Sequence, residues 1–437
     1  MVTGKNPGKE TEMMIEKIAA SCTTIMRRIL IMILCLVLPA GASHAAGTVE
    51  LCCGNMDTYL DYEFLLPDGR AVLSGIIDGN EKQMRLVCLN TDGTVSWEYV
   101  SDDHAEYWCP YAALRRDGTI AVASRRFSRQ ADDIVVKFLT PDGQQAAEDM
   151  VIPTGGGSLW PDSISRSGVT LERQVEVPGK DEPESQMEVY DWDGNLVSGY
   201  PYRYEEETGE YFREMEEQDG LLLFGTDNRQ GGHAKIVKKE NREGKPIWET
   251  TVTFEWPDAD WSTAISPIPT DDEGHIIQVL EMKNDPEEDR HRIVKLDNQG
   301  SIRWSVREDT EKGEHFGDMT VFNGKTAVHL EGDEVYEKLE IPRTFRWFDP
   351  EGNDLGTTVL ELKTEDFPGI QKYLEEHKDS GREMTPRFMG MEYVPLGEEL
   401  YALVFASVED CKDWPDSTVD TDWPGGYDTV LIKIPTL

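Results

Sequence analysis

Basic residues are scarce in this chain of 437 residues, and so are cysteines and long apolar runs. Lys and Arg number 43 against 84 Asp and Glu, which gives a net charge of −41 at pH 7. Such a surface repels phosphate backbones and anionic lipid, so the composition excludes nucleic-acid binding and attracts cations or basic partners. The same acidity also keeps an exported protein soluble, an interpretation that needs no partner.

Cysteine usage excludes the common structural zinc sites, because the seven cysteines form no C-x-x-C pair and no paired Cys/His spacing. Five of them follow the N-terminal segment: Cys52, Cys53, Cys88, Cys109 and Cys411. In an oxidising compartment this odd number leaves at least one thiol free or paired elsewhere, and the pairing itself stays open. Cys88 and Cys109 are interpreted as small buried hydrophobic residues.

One apolar run stands out, at residues 29–38, and it is too short to span a membrane. It follows Arg27-Arg28 and precedes small residues with a cleavage site at Ala45, the pattern of a secretory signal peptide. We therefore predict an N-terminal extension and signal peptide over residues 1–45, with a start at Met1 or Met26. Residues 46–437 are predicted to form one secreted or cell-envelope domain with no membrane span.

Turns that end in glycine recur through that domain in two interleaved series. The first series has seven members: Gly69, Gly118, Gly168, Gly220, Gly274, Gly324 and Gly397. The second follows the first six by roughly 24–28 residues: Gly93, Gly143, Gly194, Gly244, Gly300 and Gly352. Strand-like runs separate the turns, so each repeat of about fifty residues is four antiparallel strands. The predicted fold is all-β, a single β-propeller with seven four-stranded blades, or six or eight if the last repeat is misassigned.

The seventh repeat lacks its fourth strand, because the chain ends after residues 430–437. We predict that residues 48–52 supply the missing strand and so hide two sheet edges that would otherwise invite aggregation. The same repeat is longer than the others. Residues 364–382 are predicted to contain a short inserted helix, and residues 410–426 an acidic loop.

The second turns carry a motif, Leu296-Asp297-x-x-Gly300-x-x-x-Trp304, which recurs as Leu89-Asn90-x-x-Gly93-x-x-x-Trp97. It resembles the blade repeats of pyrroloquinoline-quinone-type propellers and of bacterial arylsulfate sulfotransferase propellers. The resemblance covers most of residues 48–437 as a repeat pattern and implies the fold alone. The tryptophan occurs in three of the six second turns. We expect it to pack between neighbouring blades.

An aromatic residue stands shortly before each first turn, in what the pattern predicts to be the loop entering the innermost strand. We predict that these rings line the mouth of the channel as a ligand platform: Tyr59, Trp108, Trp160, Tyr211 (or Phe212), Trp261, Phe316 and Phe388. Three segments look like repeated versions of one rigid loop: Trp108-Cys-Pro110, Trp160-Pro-Asp162 and Trp256-Pro-Asp258. Packing between blades is the competing interpretation of the same rings.

Chemistry-bearing residues near these loops form no recognisable catalytic motif. Four aspartates could supply a carboxylate pair for glycoside hydrolysis: Asp61, Asp162, Asp260 and Asp318. His104 and His315 are the candidates for a covalent, sulfotransferase-like histidine. No cofactor is predicted, although residues 416–422 (Asp-Ser-Thr-Val-Asp-Thr-Asp) offer hard oxygens for a structural calcium ion.

The sequence therefore favours an exported, non-enzymatic, monomeric propeller that presents its loops to a protein or a cell-surface glycan. The alternative is a hydrolase or sulfotransferase-like enzyme with its site at the mouth of the channel. Two carboxyls with shifted pKa values, or a histidine with a basic partner, would favour the enzyme.

Overall fold

The computed structural model describes residues 48–437 apart from the following gaps: 55–58, 78–81, 102–104, 129–131, 156–158, 165–167, 176–183, 198–201, 206–209, 217–219, 227–233, 242–244, 254–260, 265–266, 271, 273, 283–289, 309–314, 332–337, 380–383 and 411–426. The described residues form seven antiparallel sheets, and each sheet is one blade of a β-propeller. The predicted fold is confirmed, whereas the finer resemblance to quinone-type blades stays a prediction.

The chain begins with strand β1 (Thr48–Gly54), which belongs to the last blade. Blade 1 consists of β2 (Tyr59–Leu65), β3 (Ala71–Ile77), β4 (Gln83–Leu89) and β5 (Val95–Val100). Blade 2 consists of β6 (Glu106–Leu114), β7 (Ile120–Phe127), β8 (Asp132–Leu139) and β9 (Met150–Pro153). Blade 3 consists of β10 (Leu159–Ile164), β11 (Gly168–Val175), β12 (Glu184–Asp191) and β13 (Leu196–Val197).

Blades 4 and 5 each have five strands. Blade 4 consists of β14 (Tyr202–Glu205), β15 (Glu210–Glu216), β16 (Gly220–Thr226), β17 (Ala234–Asn241) and β18 (Pro246–Thr253). Blade 5 consists of β19 (Trp261–Ala264), β20 (Ile268–Pro269), β21 (His275–Met282), β22 (Arg290–Leu296) and β23 (Ile302–Arg307). Its short strands β19 and β20 both pair with β21, so they act as one interrupted inner strand.

The last two blades flank the one described α-helix. Blade 6 consists of β24 (His315–Phe322), β25 (Lys325–Glu331), β26 (Arg343–Phe348) and β27 (Asp354–Leu360). A 3₁₀ turn (Thr364–Asp366) and helix α1 (Pro368–His377) follow, which confirms the predicted insertion. Blade 7 consists of β28 (Met384–Leu396), β29 (Glu399–Asp410), β30 (Tyr427–Lys433) and β1.

Strand β1 closes the ring, as predicted. It pairs antiparallel with β30, with Thr48 opposite Ile432 and Gly54 opposite Tyr427. The sheet of blade 7 therefore runs β28-β29-β30-β1 and joins the two ends of the domain. The edge of β30 is covered, which removes a template for pairing with other chains. The predicted acidic loop at residues 410–426 lies almost wholly outside the described residues.

The core lies between the blades. Each hydrophobic cluster found among the described residues is shared by two neighbouring blades; Leu60 of blade 1 and Leu403 of blade 7, for example, belong to one of them. Because a blade is covered on both faces, its middle strands are buried without alternation, as over residues 120–124 of β7. The outermost strands alternate and face solvent on one side, as β23 does. Cys88, which was predicted to be a buried hydrophobic residue, is free and fully buried in the cluster of blades 1 and 2.

The recurring tryptophan joins each of three blades to the next, which confirms its predicted structural role. The indole N–H of Trp97 donates to the carbonyl of Pro141 at 2.9 Å, in the second turn of the following blade. Trp248 and Trp304 repeat this contact with Asn298 and Pro350. In each case the ring lies against the glycine of that turn, where a Cβ atom would meet it: Gly143, Gly300 and Gly352.

Gly143→Ala is expected to destabilise the protein more than Gly118→Ala, because only the first substitution meets a tryptophan. Both glycines have positive φ, +75° and +85°, so both alanines carry strain of about 1–2 kcal/mol. A Cβ at position 143 would lie 2.7 Å from the Trp97 ring, whereas at position 118 it meets no described atom within 4 Å. Overpacking should add about 1–3 kcal/mol to the loss of unfolding free energy, measured in urea. Equal losses in the two variants would contradict the packing role.

Three arginines also connect blades. Each donates to a backbone carbonyl at the outer strand of the preceding blade: Arg85 to Leu51 at 2.6 Å, Arg173 to Thr154 at 2.9 Å and Arg292 to Thr253 at 2.7 Å. Each guanidinium also pairs with a glutamate of its own blade: Glu98, Glu188 and Glu281. In a chain with few basic residues, these three arginines hold blades together.

The two faces of the propeller differ in their connections. One face, here called the turn face, carries the two glycine-turn series, with connections such as 66–70 and 90–94. The opposite face, here called the entry face, carries the connections that lead into the inner strands and those between the second and third strands of each blade. It holds the three longest, 332–342, 361–383 and 411–426, whereas the turn face has one connection of ten residues, 140–149. The two longest connections, 361–383 and 411–426, thus start and end at the entry face.

Candidate functional site in the central channel

The innermost strands line the channel, and five of them have an irregular register near the middle. The irregularity lies between Tyr62 and Phe64 in β2, Trp108 and Tyr111 in β6, Pro161 and Ser163 in β10, Phe316 and Met319 in β24, and Phe388 and Gly390 in β28. A β-bulge adds a residue to one strand and redirects its side chain. The bulged residues therefore point differently from the regular pleat, and three of them are acidic: Glu63, Asp162 and Asp318.

Carboxyl groups from three consecutive blades meet in this channel. Asp61 and Glu63 lie on β2 of blade 1, Glu392 on β28 of blade 7 and Asp318 on β24 of blade 6. We call these four residues the carboxyl cluster. The strands of blades 7 and 1 are in direct contact, because the backbone N–H of Tyr62 donates to Glu392 Oε2 at 2.6 Å.

Burial raises the pKa of every member of the cluster. The pKa of Glu63 rises to about 8, mainly through burial and further through repulsion by Asp61 and Glu392; hydrogen bonds from Ser74 and the backbone of Ala112 oppose the rise. Burial raises the pKa of Glu392 to about 7 and that of Asp61 to about 6. Asp318 is the exposed member, yet the surrounding protein still raises its pKa. The cluster therefore holds protons at neutral pH that isolated carboxyls would release.

The cluster lacks charge compensation. Within the described part of the chain, no Lys, Arg or His ion pair involves any of its four members, and no basic group lowers their pKa values. The pKa of Tyr62, which lies between Asp61 and Glu63 in the chain, is also raised. Burial and then the charge of Glu392 raise it to about 12. A positively charged group entering the channel would find unpaired carboxylates and displace protons from them.

Side chains from the second strands hold the bulged backbone in place. Ser74 Oγ on β3 donates to Glu63 Oε1 and approaches the carbonyl oxygen of Pro110 in blade 2 at 3.1 Å. Gln278 Nε2 on β21 lies 3.0 Å from the carbonyl oxygen of Phe316 and 3.1 Å from that of Gly317. Buried bulge carbonyls thus have side-chain partners in place of ladder partners. The inner strands are fixed in the shape that brings the carboxyl cluster together.

The predicted aromatic platform lies partly outside the described side chains. Nothing is described of the side chains of Tyr211, Phe212 and Trp261. Phe316 and Phe388 are buried, at 0% and 3% exposure, within clusters between blades, so they offer no ring surface to a ligand. Tyr59, Trp108 and Trp160 are half-buried. Their role in ligand binding stays a prediction.

Two of the half-buried rings already contact a basic side chain of the protein. Lys82 Nζ lies 3.5 Å from the centre of the Trp108 ring, and the Arg125 guanidinium lies 4.1 Å from that of Trp160. Arg125 is in turn fixed by two hydrogen bonds to the carboxylate of Asp132. Trp108 and Trp160 also sit in the inner strands β6 and β10, at the bulges, instead of in the loops that the pattern predicts.

Sequence reasoning found half of the carboxyl cluster. Asp61 and Asp318 were named as candidate acids, and the structure brings both to the cluster. Glu63 and Glu392 were missed, because two-residue alternation cannot locate a bulge and the chain offers many other acids. Asp162 is half-buried on β10, and Asp260 lies outside the described residues.

Among the described residues, no further candidate contacts the carboxyl cluster. His315 begins β24, and its Nδ1 lies 3.8 Å from Glu308 Oε2, whereas His104 is outside the described residues. The candidate calcium ligands at 416–422 are also outside them. Among the side chains that the structure describes, no group of three or more His, Cys, Asp or Glu is arranged to hold a metal ion. Nor does any helix in this part of the chain have the length and apolarity to cross a membrane.

Comparisons with known proteins identify no family for this chain. No protein-family model and no curated protein matches the chain. Among solved structures, a Bacteroides caccae protein of unknown function is 14% identical with a TM-score of 0.31, covering 69% of this chain and 96% of its own. A Dyadobacter fermentans protein of unknown function is 11% identical with a TM-score of 0.37, covering 90% of this chain and 99% of its own.

An enzyme is also among the similar structures. A prolyl endopeptidase is 12% identical with a TM-score of 0.41 and covers 83% of this chain, which spans 47% of that protein's length. All three TM-scores are below 0.5. The fold of this chain therefore rests on its own strand pairing, and the comparisons assign it no activity.

Proposed function

We propose that the chain is an exported, non-enzymatic binding propeller whose entry face receives a protein or glycan partner. The observation that carries this proposal is that the two faces differ in the length of their connections. The turn face carries mostly short glycine turns, whereas the two longest connections, 361–383 and 411–426, start and end at the entry face. Loops that vary on a rigid scaffold are where binding residues concentrate.

Rigidity supports the same proposal. The ring is closed by β1, and neighbouring blades are joined by buried clusters, by tryptophan contacts with second turns and by arginine contacts with backbone carbonyls. A scaffold that is already ordered loses little conformational entropy when a partner binds. The uncompensated carboxyls favour a protein partner that inserts a basic side chain, and the net charge of −41 favours its approach.

The test measures binding by full-length protein and by variants of the inner strands and of the turn face. Cell-envelope extracts and a glycan array are the two sources of ligand. Trp108→Ala and Trp160→Ala remove two rings of the predicted aromatic platform from the inner strands, and Asp193→Asn alters an exposed side chain of the turn face. We expect one ligand class to bind the unaltered protein and the Asp193→Asn variant, and to bind the tryptophan variants at least tenfold more weakly. Equal loss in all variants, or binding to neither source, would contradict the proposal.

The raised pKa values of Glu63 and Glu392 are the observation that favours the enzymatic alternative, and the same preparation tests it. Chromogenic glycosides and aryl sulfates are the substrates. If the protein turns over one of these substrates, Glu63→Gln abolishes that turnover and Glu351→Gln leaves it unchanged, a catalytic function replaces the binding proposal. We expect no turnover above the buffer rate.

A further inference from the structure

The connection between blades 6 and 7 departs most from the repeat, and it borders a cavity of about 650 Å³. The cavity lies on the entry face, between the segment before β26 and the insertion that carries the 3₁₀ turn and helix α1. Its polar lining comes from Glu340, Glu361, Lys363, Thr364, Glu365 and Gln371. These polar side chains are exposed apart from half-buried Thr364, so the cavity is an open groove at the surface.

The insertion that forms one wall is held firmly in place. Phe367 and Ile370 are fully buried in the hydrophobic cluster of blades 6 and 7. The Asp366 carboxylate accepts the backbone N–H of Lys363 at 3.0 Å. Asp428 on β30, itself fully buried, accepts the N–H of Gly369 at 2.7 Å in the first turn of α1. The wall is therefore formed before any ligand arrives, which lowers the entropy cost of binding.

The lining contains both carboxylates, which attract cations, and N–H groups, which donate hydrogen bonds. Three glutamates face one lysine, so the cavity carries a net negative charge. Glu365 lies 3.8 Å from Lys363, and Glu340 accepts the hydroxyl of Thr364 at 2.9 Å. No ion pair of Glu361 exists among the described residues, and its side chain is exposed to the cavity. Beside these carboxylates, Lys363 and the amide of Gln371 offer N–H donors.

We propose that this cavity binds an extended peptide segment that carries an arginine side chain, with the guanidinium held by Glu361 and Glu340. Planar guanidinium matches carboxylate geometry and forms paired hydrogen bonds. The carbonyl groups of the peptide accept hydrogen bonds from Lys363 and Gln371. A polyamine has no carbonyl groups and leaves these two donors without an acceptor. This inference rests on the proposed binding function of the entry face and names the chemistry of one contact.

The test is fluorescence anisotropy with full-length protein and a labelled Gly-Gly-Arg-Gly-Gly peptide at physiological salt. The reference peptide has citrulline at the central position, which keeps the shape and removes the charge. We expect the arginine peptide to bind at least tenfold more tightly than the citrulline peptide. The double variant Glu340→Gln/Glu361→Gln should reduce that binding by tenfold or more, since each lost carboxylate removes a charge-assisted hydrogen bond.

A charge-matched variant separates the site from the general field of the protein. Asp193→Asn/Glu351→Gln removes the same two charges from exposed positions of the turn face and should leave the affinity within twofold. Equal loss in both double variants, equal binding of the two peptides, or binding of spermine without the arginine peptide would each overturn the inference. Envelope or glycan binding that Trp108→Ala weakens but Glu340→Gln/Glu361→Gln leaves intact would refute this site alone and leave the proposed function standing. Unchanged melting temperatures verify that the exposed substitutions preserve the fold.

Discussion

The protein is expected to melt several degrees higher at pH 5.5 than at pH 8.5, the reverse of ordinary acid destabilisation. The cause is the carboxyl cluster, in which burial raises the pKa values of Asp61, Glu392 and Glu63 to about 6, 7 and 8. A buried acid with a raised pKa binds its proton more tightly in the folded state than in the unfolded one. Its stabilising contribution is complete below about pH 4, falls progressively as the pH rises above the pKa of the unfolded state, and is gone above the folded-state pKa, which is about 6 for Asp61, 7 for Glu392 and 8 for Glu63.

The size of the effect follows from the same values. Each tenfold difference in proton affinity between folded and unfolded states is worth about 1.4 kcal/mol, so three such groups together amount to several kcal/mol. Buried Asp428, whose pKa is raised to about 7, acts in the same direction. Buried His291 and His329, whose pKa values are lowered to about 4, act against it and reduce the net difference without reversing it. Glu63→Gln keeps the shape and the acceptor for Ser74 while removing the ionisation. It should raise the melting temperature at pH 8.5 and flatten the pH dependence.

Glu351→Gln is the control, because it removes an exposed glutamate from a second turn. We expect it to leave the difference between pH 5.5 and pH 8.5 unchanged. Scanning calorimetry of the three proteins at both pH values provides the comparison. A melting temperature that falls on acidification in the unaltered protein, or equal effects of the two substitutions, would contradict the raised pKa values of the carboxyl cluster.

Removing β1 is expected to cause the largest loss of stability of any short deletion. Without residues 48–54, blade 7 exposes the edge of β30 and the hydrophobic cluster that Leu51 covers at 5% exposure. Arg85 of blade 1 loses its backbone acceptor in β1 as well. We expect a drop in melting temperature of more than roughly 10 °C and concentration-dependent association through the open edge.

The matched control is a chain that begins at Ala46, which lacks the predicted leader and keeps β1. Calorimetry and light scattering of the chains 46–437 and 55–437 make the comparison. A synthetic peptide of residues 46–56 added to the shorter chain should restore part of the lost stability. If both chains melt together and stay monomeric, β1 does not close the ring.

The fold could be predicted because its signals are local and repeated. Gly93 and its equivalents occupy tight turns with positive φ, and the runs between them have strand composition. Closure by residues 48–52 was predictable because the last repeat lacks one strand. The role of Trp97 followed from its fixed distance to the turn glycine, and the structure places it against the next blade.

The candidate site was only half predictable, because its geometry depends on bulges and on contact between the two ends of the chain. Glu63 lies at a bulge, and its neighbour Glu392 is more than three hundred residues away in sequence. Phe316 and Phe388 share the spacing of the other aromatics, yet they are buried between blades. Spacing from a turn fixes position along a strand but not the face to which a side chain points.

The most direct measurement of the carboxyl cluster is a ¹³C NMR titration of protein labelled at the glutamate side-chain carboxyls. Glu63→Gln and Glu392→Gln assign the two resonances by their disappearance. The structure predicts that Glu63 titrates near pH 8 and Glu392 near pH 7, well above the exposed glutamates. If both resonances titrate with the bulk between pH 4 and 5, the inner strands do not bury an uncompensated acidic cluster.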